Sequence, residues 1–93
     1  MNSSGIVKVP LGQIVATPAA IGAVSQPDIA AALRRHAVGD WGDVGSDDRA
    51  ANDDALKSDE RIMSVYMSAT RITFWVLTEA DRSVTTVLLP DDY

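Results

Sequence analysis

The chain has 93 residues, with 13 acidic and 8 basic side chains, a net charge of −5 and no cysteine. This length fits a single domain, 1–93, and leaves no room for a second core. The missing cysteines exclude disulfides, thiolate metal sites and a cysteine nucleophile, and the acidic balance disfavours direct binding to nucleic acid, which needs a basic surface.

The N-terminal region does not look like a targeting or membrane segment. Residues 1–5 are small and polar and are expected to fray. The apolar run of residues 14–24 is interrupted by Thr17-Pro18 and preceded only by Lys8, so it lacks the charged start of a signal peptide. No window reaches the roughly 18 to 20 apolar residues of a membrane span. We therefore expect a soluble, cytoplasmic protein.

The first elements are predicted to be short. Residues 6–9 are β-prone but meet Pro10, which indicates an edge strand or an extended lead-in, and residues 11–16 should form a short strand. Thr17 can cap a helix that begins with Pro18. We expect this helix over residues 19–24, with three buried side chains: Ala20, Ile21 and Val24.

A longer helix is predicted over residues 26–38, because both of its ends carry capping signals. Ser25 and Asp28 form a variant of the capping box. Basic side chains occupy the last turn, where they offset the helix dipole, and Gly39 can take the left-handed conformation of a C-cap. The stripe that should face the core consists of Ile29, Ala30, Ala32, Leu33 and Ala37.

Three glycines between residues 39 and 45 predict a turn, and an acidic helix should follow over residues 47–57, capped by Ser46. Its predicted buried stripe is thin and consists of Ala51, Ala55 and Leu56. Residues 40–60 hold eight acidic and two basic side chains, a local excess of −6. The turn and this helix therefore carry most of the charge of the chain.

From residue 61 onwards the apolar pattern has a period of two, which indicates strands at residues 62–67, 71–78 and 83–89. Short turns at residues 68–70 and 79–82 join them into an antiparallel meander. The second turn should contain a local ion pair among Glu79, Asp81 and Arg82. Because the central strand is apolar on both sides, both faces of the sheet should be covered, by the helices or by a second subunit.

These elements predict an α+β fold. The sheet should have three or four strands, mostly antiparallel and including the C-terminal meander. Two or three short helices from the N-terminal half should pack on one face of it.

One group of side chains has a spacing that suits chemistry. The His-x3-Asp-x2-Asp pattern of His36, Asp40 and Asp43 could bind a divalent metal or transfer a proton. The pattern agrees better with a last-turn histidine and two aspartates that satisfy turn N–H groups. No second histidine serves a catalytic triad, and no glycine-rich loop matches a phosphate cradle. We therefore predict no catalytic residue, no metal site and no cofactor.

Trp41 and the acidic helix each have two interpretations. The indole could stack on a planar partner, but we favour a plug that anchors the glycine-rich turn to the core. The carboxylates could form an ordinary solvated face, or they could imitate a phosphate backbone and occupy a basic groove on another protein. In the second case the candidate contact residues are Asp40, Trp41, Asp43, Asp47, Asp48, Asp53 and Asp54.

Several motifs carry a family resemblance. They are Leu11-Gly-Gln-Ile-Val-Ala-Thr-Pro18, Arg35-His36 before Gly39-Asp-Trp-Gly-Asp43, Asp48 with Asn52 and Ala55-Leu56, and Thr78-Glu-Ala-Asp-Arg-Ser83 with Thr85-Thr-Val-Leu-Leu-Pro90. Together they resemble a family of small proteins carried by bacterial plasmids, integrative elements and genomic islands. Its members are often labelled plasmid-related or hypothetical, and sometimes type I restriction subunits.

Two points qualify what the resemblance implies. A methyltransferase subunit of a restriction enzyme needs a cofactor-binding α/β domain, which a chain of 93 residues without its motifs is too short to form. The family usually has a glycine in the turn of the first hairpin, whereas this chain has Ser68-Ala-Thr70. The register of that hairpin is therefore open.

The resemblance and the missing catalytic set favour a non-enzymatic binding module of mobile genetic elements. We expect an inhibitor of a host defence system that targets nucleic acids, with anti-CRISPR or anti-restriction activity. Its partner would be a CRISPR effector or a restriction enzyme, held by protein–protein contact without direct nucleic-acid or membrane binding. The alternative is an accessory or homodimeric plasmid-maintenance protein that uses the sheet or its edge as an interface. A metal-dependent hydrolase is the least favoured alternative.

Overall fold

The computed structural model describes residues 6–93, so the prediction for residues 1–5 lies outside the described part of the chain. The helices are Pro18–Ala23 (α1), Gln26–Ala37 (α2) and Ser46–Ser58 (α3), and a short 3-10 turn spans Pro90–Asp92. The strands are Gln13–Ala16 (β1), Ile62–Met67 (β2), Thr73–Thr78 (β3) and Val84–Leu88 (β4). None of the helices described in residues 6–93 is long and apolar enough to cross a membrane.

The four strands form one mixed sheet in the order β1-β4-β3-β2. β2, β3 and β4 pair antiparallel as a meander, and β1 pairs with β4 in parallel. The connection from β1 to β2 contains the three helices, which pack on one face of the sheet. The predicted α+β class is confirmed.

The core lies between the helices and the face of the sheet on which they pack. We call this face the helix face. One cluster joins α1 and α2 to the strands and consists of Ala20, Val24, Ala32, Tyr66, Phe74, Val76 and Val87. A second cluster lies under α3 and consists of Val9, Trp41, Ala55 and Ile62. Helix-period and strand-period apolar positions therefore meet as the sequence patterns require.

The ends of α1 and α2 lie where the capping residues predict them. Thr17 Oγ1 accepts the N–H of Ala20 at 3.1 Å, and Ser25 Oγ accepts the N–H of Asp28 at 3.3 Å. Gly39 follows α2 with φ of +87°, a conformation that costs glycine little because it has no Cβ.

The buried stripes of these two helices differ from the prediction. Ile21 is 62% exposed, because it lies about 100° around the helix from Ala20, whose side faces the sheet. In α2 the buried residues are Ala32, His36 and Ala37, while Ala30 is exposed. The stripe of α2 is therefore rotated towards His36, a polar residue that the apolar pattern leaves out.

Residues 6–9 form an extended lead-in and not a strand. The N–H groups of Lys8 and Val9 both donate to the carbonyl of Ala37, at 2.7 and 3.1 Å. The Val9 side chain is fully buried. The lead-in therefore satisfies the last turn of α2 and supplies the core under α3.

The first hairpin closes without glycine. Met67 pairs with Thr73, Ser68 Oγ accepts the N–H of Ile72 at 3.0 Å, and Arg71 takes the left-handed conformation with φ of +67°. This conformation delays the start of β3 to Thr73, two residues later than predicted. The hydroxyl of Ser68 thus stabilises the turn and fixes the register of the hairpin, which the family resemblance left open.

The other face of the sheet carries no helix in the described residues, and we call it the open face. It is formed by Gln13, Val15, Met63, Val65, Met67, Thr73, Trp75, Leu77, Val84, Thr86 and Leu88. The 3-10 turn brings Tyr93 against Trp75, with ring centroids 5.7 Å apart. The chain's own helices therefore cover one face only, and coverage of the open face by a second subunit stays a prediction.

Candidate functional site

The corner between α2 and α3 is held by Asp40. Its carboxylate accepts two hydrogen bonds from the Arg35 guanidinium, Nε to Oδ2 at 2.7 Å and Nη2 to Oδ1 at 3.2 Å, and one from the N–H of Gly42 at 3.1 Å. The hydrogen bond from Arg35 holds the pKa of Asp40 below its usual value. The charge of Asp40 is therefore offset within the corner.

Trp41 lies in the core. Its side chain is 2% exposed, its ring meets His36 edge-on with centroids 5.8 Å apart, and Nε1–H donates to Asp53 Oδ1 at 3.0 Å. This geometry agrees with the plug interpretation. It also corrects the inclusion of Trp41 among the contact residues, because a buried indole is not available to a partner.

Residues 41–43 close part of the outer edge of β2. The N–H of Val65 donates to the carbonyl of Trp41 at 3.0 Å, and the N–H of Asp43 donates to the carbonyl of Val65 at 2.7 Å. Gly42 has φ of +74°, and a Cβ at this position would collide with the Val65 carbonyl oxygen. Glycine is therefore required for the close approach between the loop and the strand.

Asn52 closes the adjacent part of the same edge. Its Nδ2 donates to the carbonyl of Met63 at 2.8 Å, and its Oδ1 accepts the N–H of Met63 at 3.3 Å. The side-chain amide thus takes the place of a neighbouring strand. The predicted stripe of α3 is corrected, since Asn52 is buried and Ala51 is exposed, while Ala55 faces the core as predicted.

α3 directs all four of its acidic side chains to the surface, and the exposed Asp43 lies just before the helix. Its N-cap is Gly45, without a side-chain hydrogen bond, so the predicted cap, Ser46, is wrong: Ser46 is the first helical residue. The exposed carboxylates, which we call the acidic surface, are Asp43, Asp47, Asp48, Asp53 and Asp54. Ion pairs within residues 6–93 join Arg35 to Asp40 and Arg61 to Glu79. Hence no carboxylate of the acidic surface has a cationic partner within 4.0 Å in that range.

Arg82 holds the C-terminal end of α3. Its guanidinium donates to the carbonyl of Ala55 at 2.9 Å and to that of Glu60 at 2.7 Å, where a positive charge offsets the negative end of the helix dipole. The ion pair predicted within the 79–82 turn is wrong, because Glu79 pairs with Arg61 at 3.3 Å. The guanidinium of Arg82 thus donates to carbonyl groups at the end of α3 and does not pair with an acid of its own turn.

His36 is fully buried between α2 and the sheet. Its Nδ1 lies 2.6 Å from Ser64 Oγ, and its Nε2 lies 2.8 Å from Thr78 Oγ1. Thr78 Oγ1 lies 2.7 Å from Thr85 Oγ1, which donates to the carbonyl of Leu11 at 2.7 Å. The imidazole therefore links the hydroxyl of Ser64 on β2 to those of Thr78 on β3 and Thr85 on β4, in one chain that crosses the sheet.

The carbonyl of Leu11 sets the direction of the hydrogen bonds in this chain. A carbonyl only accepts, so the Thr85 hydroxyl donates to it and accepts the proton of Thr78. Thr78 must then accept from Nε2–H of His36, which leaves Nδ1 to accept from Ser64. A neutral histidine with its proton on Nε2 satisfies every member of the network.

The surroundings keep this histidine neutral. Burial lowers the pKa of His36 to about 4, and the charge of Arg82 acts in the same direction. Both ring nitrogens already face hydroxyl groups. In residues 6–93 no group of three His, Asp or Glu side chains is placed to hold a metal ion. The metal hypothesis for His36, Asp40 and Asp43 thus gains no support from the geometry.

The sequence predictions missed the His36 network and the role of Asn52. One signal was present for the network: Ser64, Thr78 and Thr85 occupy inward positions of the strands, where their neighbours are apolar. A buried hydroxyl requires a partner, so these positions indicate a polar group beneath the sheet. No comparable signal identifies Asn52, because one asparagine among polar residues of a helix is ordinary.

Fold and surface together define an acidic α+β domain with the acidic surface on one side and a buried, neutral histidine in the core. No protein-family model matches the chain, and neither a curated protein nor a solved structure matches it significantly. The resemblance to proteins of plasmids and genomic islands therefore stays a prediction.

Proposed function

We propose that the protein is a non-enzymatic binding module of mobile genetic elements that inhibits a host defence system directed at nucleic acids. Its target is a CRISPR effector or a restriction enzyme in the cytoplasm, held by protein–protein contact. The observation that supports this best is the acidic surface, whose five exposed carboxylates have no cationic partner within residues 6–93. The missing charges would be supplied by a basic partner.

The acidic surface rests on a firmly held helix. Asn52 binds the backbone of Met63 near the middle of α3, Asp53 accepts the indole N–H of Trp41, and Arg82 binds the last turn. A surface that is already ordered loses little conformational entropy when it binds. This rigidity supports a role in recognition, since the charges keep fixed positions relative to one another.

The spacing of the carboxylates suits a groove that normally receives nucleic acid. Asp47 and Asp54 lie two helical turns apart on the solvent side of α3, a rise of about 10 Å, which is roughly that of three nucleotides in one strand of B-DNA. CRISPR effectors hold their nucleic acids in a positively charged channel. α3 would compete for such a channel by charge, and the same charge disfavours direct binding of nucleic acid to this protein.

The proposal is tested by binding to purified CRISPR surveillance complexes and restriction enzymes, measured together with inhibition of target cleavage. The decisive variant is Asp47→Lys/Asp48→Lys/Asp54→Lys, which reverses the outward charges but keeps Asp53 for Trp41. We expect the triple variant to bind roughly tenfold more weakly or worse, because like charges would then face each other. Circular dichroism and a melting curve confirm that it is folded.

A matched pair of single substitutions separates local contact from total charge. Asp54→Lys and Asp91→Lys change the net charge equally and both alter exposed residues, but only Asp54 lies on the acidic surface. We expect Asp54→Lys to weaken binding and Asp91→Lys to leave it within about twofold. Equal binding by the wild type and the triple variant would remove the mimicry proposal, as would a lack of binding to every enzyme of both classes.

The open face supports a second candidate function, that of an accessory plasmid-maintenance protein without inhibitory activity. Met67 is 55% exposed, and Met63 and Val65 are half-buried beside it on the face that α1, α2 and α3 leave uncovered. An apolar face of this kind suits docking to a larger protein. A partner that is lost with Met67→Glu but retained with the triple lysine variant would favour this function over the inhibitor.

A further inference from the structure

The two edges of the sheet differ in a way that the proposed inhibitor function does not use. At the β2 edge, Met63 is paired with the side chain of Asn52, and Val65 is paired with residues 41–43. β1 forms the opposite edge and pairs with β4 alone. The β2 edge is therefore occupied at Met63 and Val65, whereas the β1 edge is open.

The open edge presents the backbone groups of Ile14 and Ala16. In a parallel pair, alternate residues direct both N–H and C=O to the neighbouring strand. Gln13 and Thr17 donate to carbonyls of the β4 side, Ser83 and Val87. The N–H and C=O groups of Ile14 and Ala16 therefore point outward. They have no hydrogen-bond partner within residues 6–93.

A groove lies beside this edge, on the helix face. It has a volume of about 340 Å³ and is lined mainly by apolar side chains of β1, α1 and α2: Ala16, Ile21, Val24, Ile29 and Leu33. Ile14 points to the same face of the sheet as Ala16, because the two are separated by one residue. A strand added to β1 would thus place its side chains directly over the groove.

We propose that β1 is the two-fold interface of a homodimer, in which β1 strands of two copies pair antiparallel and form one eight-stranded sheet. The two-fold axis passes beside Val15, so that Ile14 of each copy lies opposite Ala16 of the other. Both residues point their backbone groups outward, so the pairing forms four N–H to C=O bonds. This register directs each Ile14 side chain towards the groove of the other copy.

A second copy suits this edge better than a foreign peptide for reasons of chemistry. A second β1 presents outward N–H and C=O groups at alternate positions, which can pair with those of the edge. It also presents a branched apolar side chain, Ile14, which can fill the groove. Residues 9–27 contain no charged side chain, although the whole chain carries −5. Asp92 is an exception in space, because its carboxylate accepts from Thr17 Oγ1 at 2.6 Å, but the Thr17 positions of the two copies lie about 13 Å apart along the strands in this register. Two copies of an acidic protein can therefore approach along residues 14–16 with little repulsion between like charges.

The exposed apolar side chains at the edge provide the burial that favours association. Ile14 is 49% exposed and Ile21 is 62% exposed, and both would be shielded by the second copy. Since β1 is only four residues long, we expect a reversible equilibrium with a Kd in roughly the micromolar range. This inference does not depend on the proposed function, which uses the acidic surface.

Sedimentation equilibrium from about 5 μM to 1 mM tests the association. The wild type should rise from a mass of 9.9 kDa towards twice that value. Ile14→Pro and Ile14→Lys should remain monomeric, because proline removes an outward N–H and lysine places a charge at the groove. Neither change removes a hydrogen bond within the monomer, so both variants should fold. Met67→Lys, at the other edge, is the matched control and should still dimerise.

Cross-linking tests the register. The chain has no cysteine, and Val15→Cys would bring two thiols face to face across the axis, within disulfide distance. Gln13→Cys, on the same face of β1, would leave its thiols about 13 Å apart along the strands. Oxidation with copper phenanthroline should therefore cross-link Val15→Cys and spare Gln13→Cys.

Three results would overturn the homodimer. The wild type could stay monomeric up to 1 mM, the dimer could persist in both Ile14 variants, or the two cysteine variants could cross-link equally. Loss of the dimer in Met67→Lys, with retention in the Ile14 variants, would move the interface to the open face. None of these results bears on the acidic surface, which the Ile14 variants leave unchanged.

Discussion

His36 illustrates how one side chain can unite several elements. It lies on α2, and its hydrogen-bonded chain runs through Ser64 of β2, Thr78 of β3 and Thr85 of β4 to the residue Leu11 before β1. Each hydroxyl is buried and would be costly without its partner. The network therefore favours one register of the sheet beneath α2.

The neutral state of His36 makes the protein less stable in mild acid. In the unfolded chain the imidazole of His36 is protonated below the ordinary histidine pKa of about 6.5, whereas in the folded chain it is protonated only below about pH 4. The free energy of unfolding should therefore fall as the pH falls from 6.5 to 4. The expected loss is about 2 kcal/mol between pH 7 and pH 5, measured by urea denaturation at the two pH values.

His36→Gln is the control, since glutamine can hydrogen-bond to the hydroxyls but does not titrate. It should show little change between pH 7 and pH 5. The pKa of Asp40 is lowered by its hydrogen bond with Arg35, so the stability that it contributes is lost only below the ordinary aspartate range, outside this window. The same slope in wild type and His36→Gln would show that another group causes the loss.

At the scale of elements, α3 is held by polar contacts more than by apolar burial. Its buried residues are Ala55, which is small, and Asn52. Leu56 is partly buried and packs against the cluster under α3, as predicted, and the other anchors are the bonds from Trp41 to Asp53 and from Arg82 to Ala55. An acidic helix with so few apolar side chains depends on these bonds for its position on the sheet.

Removing the amide of Asn52 should therefore loosen both α3 and the edge of β2. We expect Asn52→Ala to lower the free energy of unfolding by about 1 to 3 kcal/mol, because it leaves the N–H and C=O of Met63 unpaired and partly buried. Amide hydrogen exchange at Met63 should become faster. Urea denaturation measures the first effect and NMR the second.

Asp54→Ala is the matched control for Asn52→Ala. It alters an exposed residue of the same helix and should change the free energy of unfolding by no more than about 0.5 kcal/mol. Equal effects of the two substitutions, with unchanged exchange at Met63, would mean that Asn52 does not hold the edge.

At the scale of the whole molecule, the sheet has one face under α1, α2 and α3, whereas the 3-10 turn and Tyr93 lie against the open face. Tyr93 is 69% exposed, yet its ring lies edge-on to Trp75, and the Arg61 guanidinium lies 5.9 Å from its centroid. The centre of the open face is therefore sheltered by a contact that one substitution can remove.

Tyr93→Ala should expose Trp75 to water. We expect a loss of about 0.5 to 1.5 kcal/mol in the free energy of unfolding and a red shift of tryptophan emission. A Trp75→Phe background identifies the source of the shift, because Trp41 is buried and should be unaffected. Asp91→Ala, in the same 3-10 turn, is the control. An unshifted spectrum in Tyr93→Ala would indicate that the ring does not shelter Trp75.

Local signals determined much of this protein from sequence alone. Thr17, Ser25 and Gly39 mark helix ends because capping depends on neighbours a few residues away. The period of two marks the meander, and eight of the thirteen acids lie in residues 40–60, which include the turn and the helix that follow α2. The exposed part of the candidate site was therefore predictable, whereas the buried part, beginning with Trp41, was ambiguous.

Only the tertiary structure decided the rest, because it depends on residues far apart in the chain. Ser64 and Thr78 lie 28 and 42 positions from His36. The partner of Asn52 is the backbone of Met63 on β2, and nothing in the sequence of α3 indicates that pairing. The parallel pairing of β1 with β4 joins residues about seventy positions apart. No local preference encodes such pairings, since they form when burial brings polar groups together and each must find a partner or lose its hydrogen bonds.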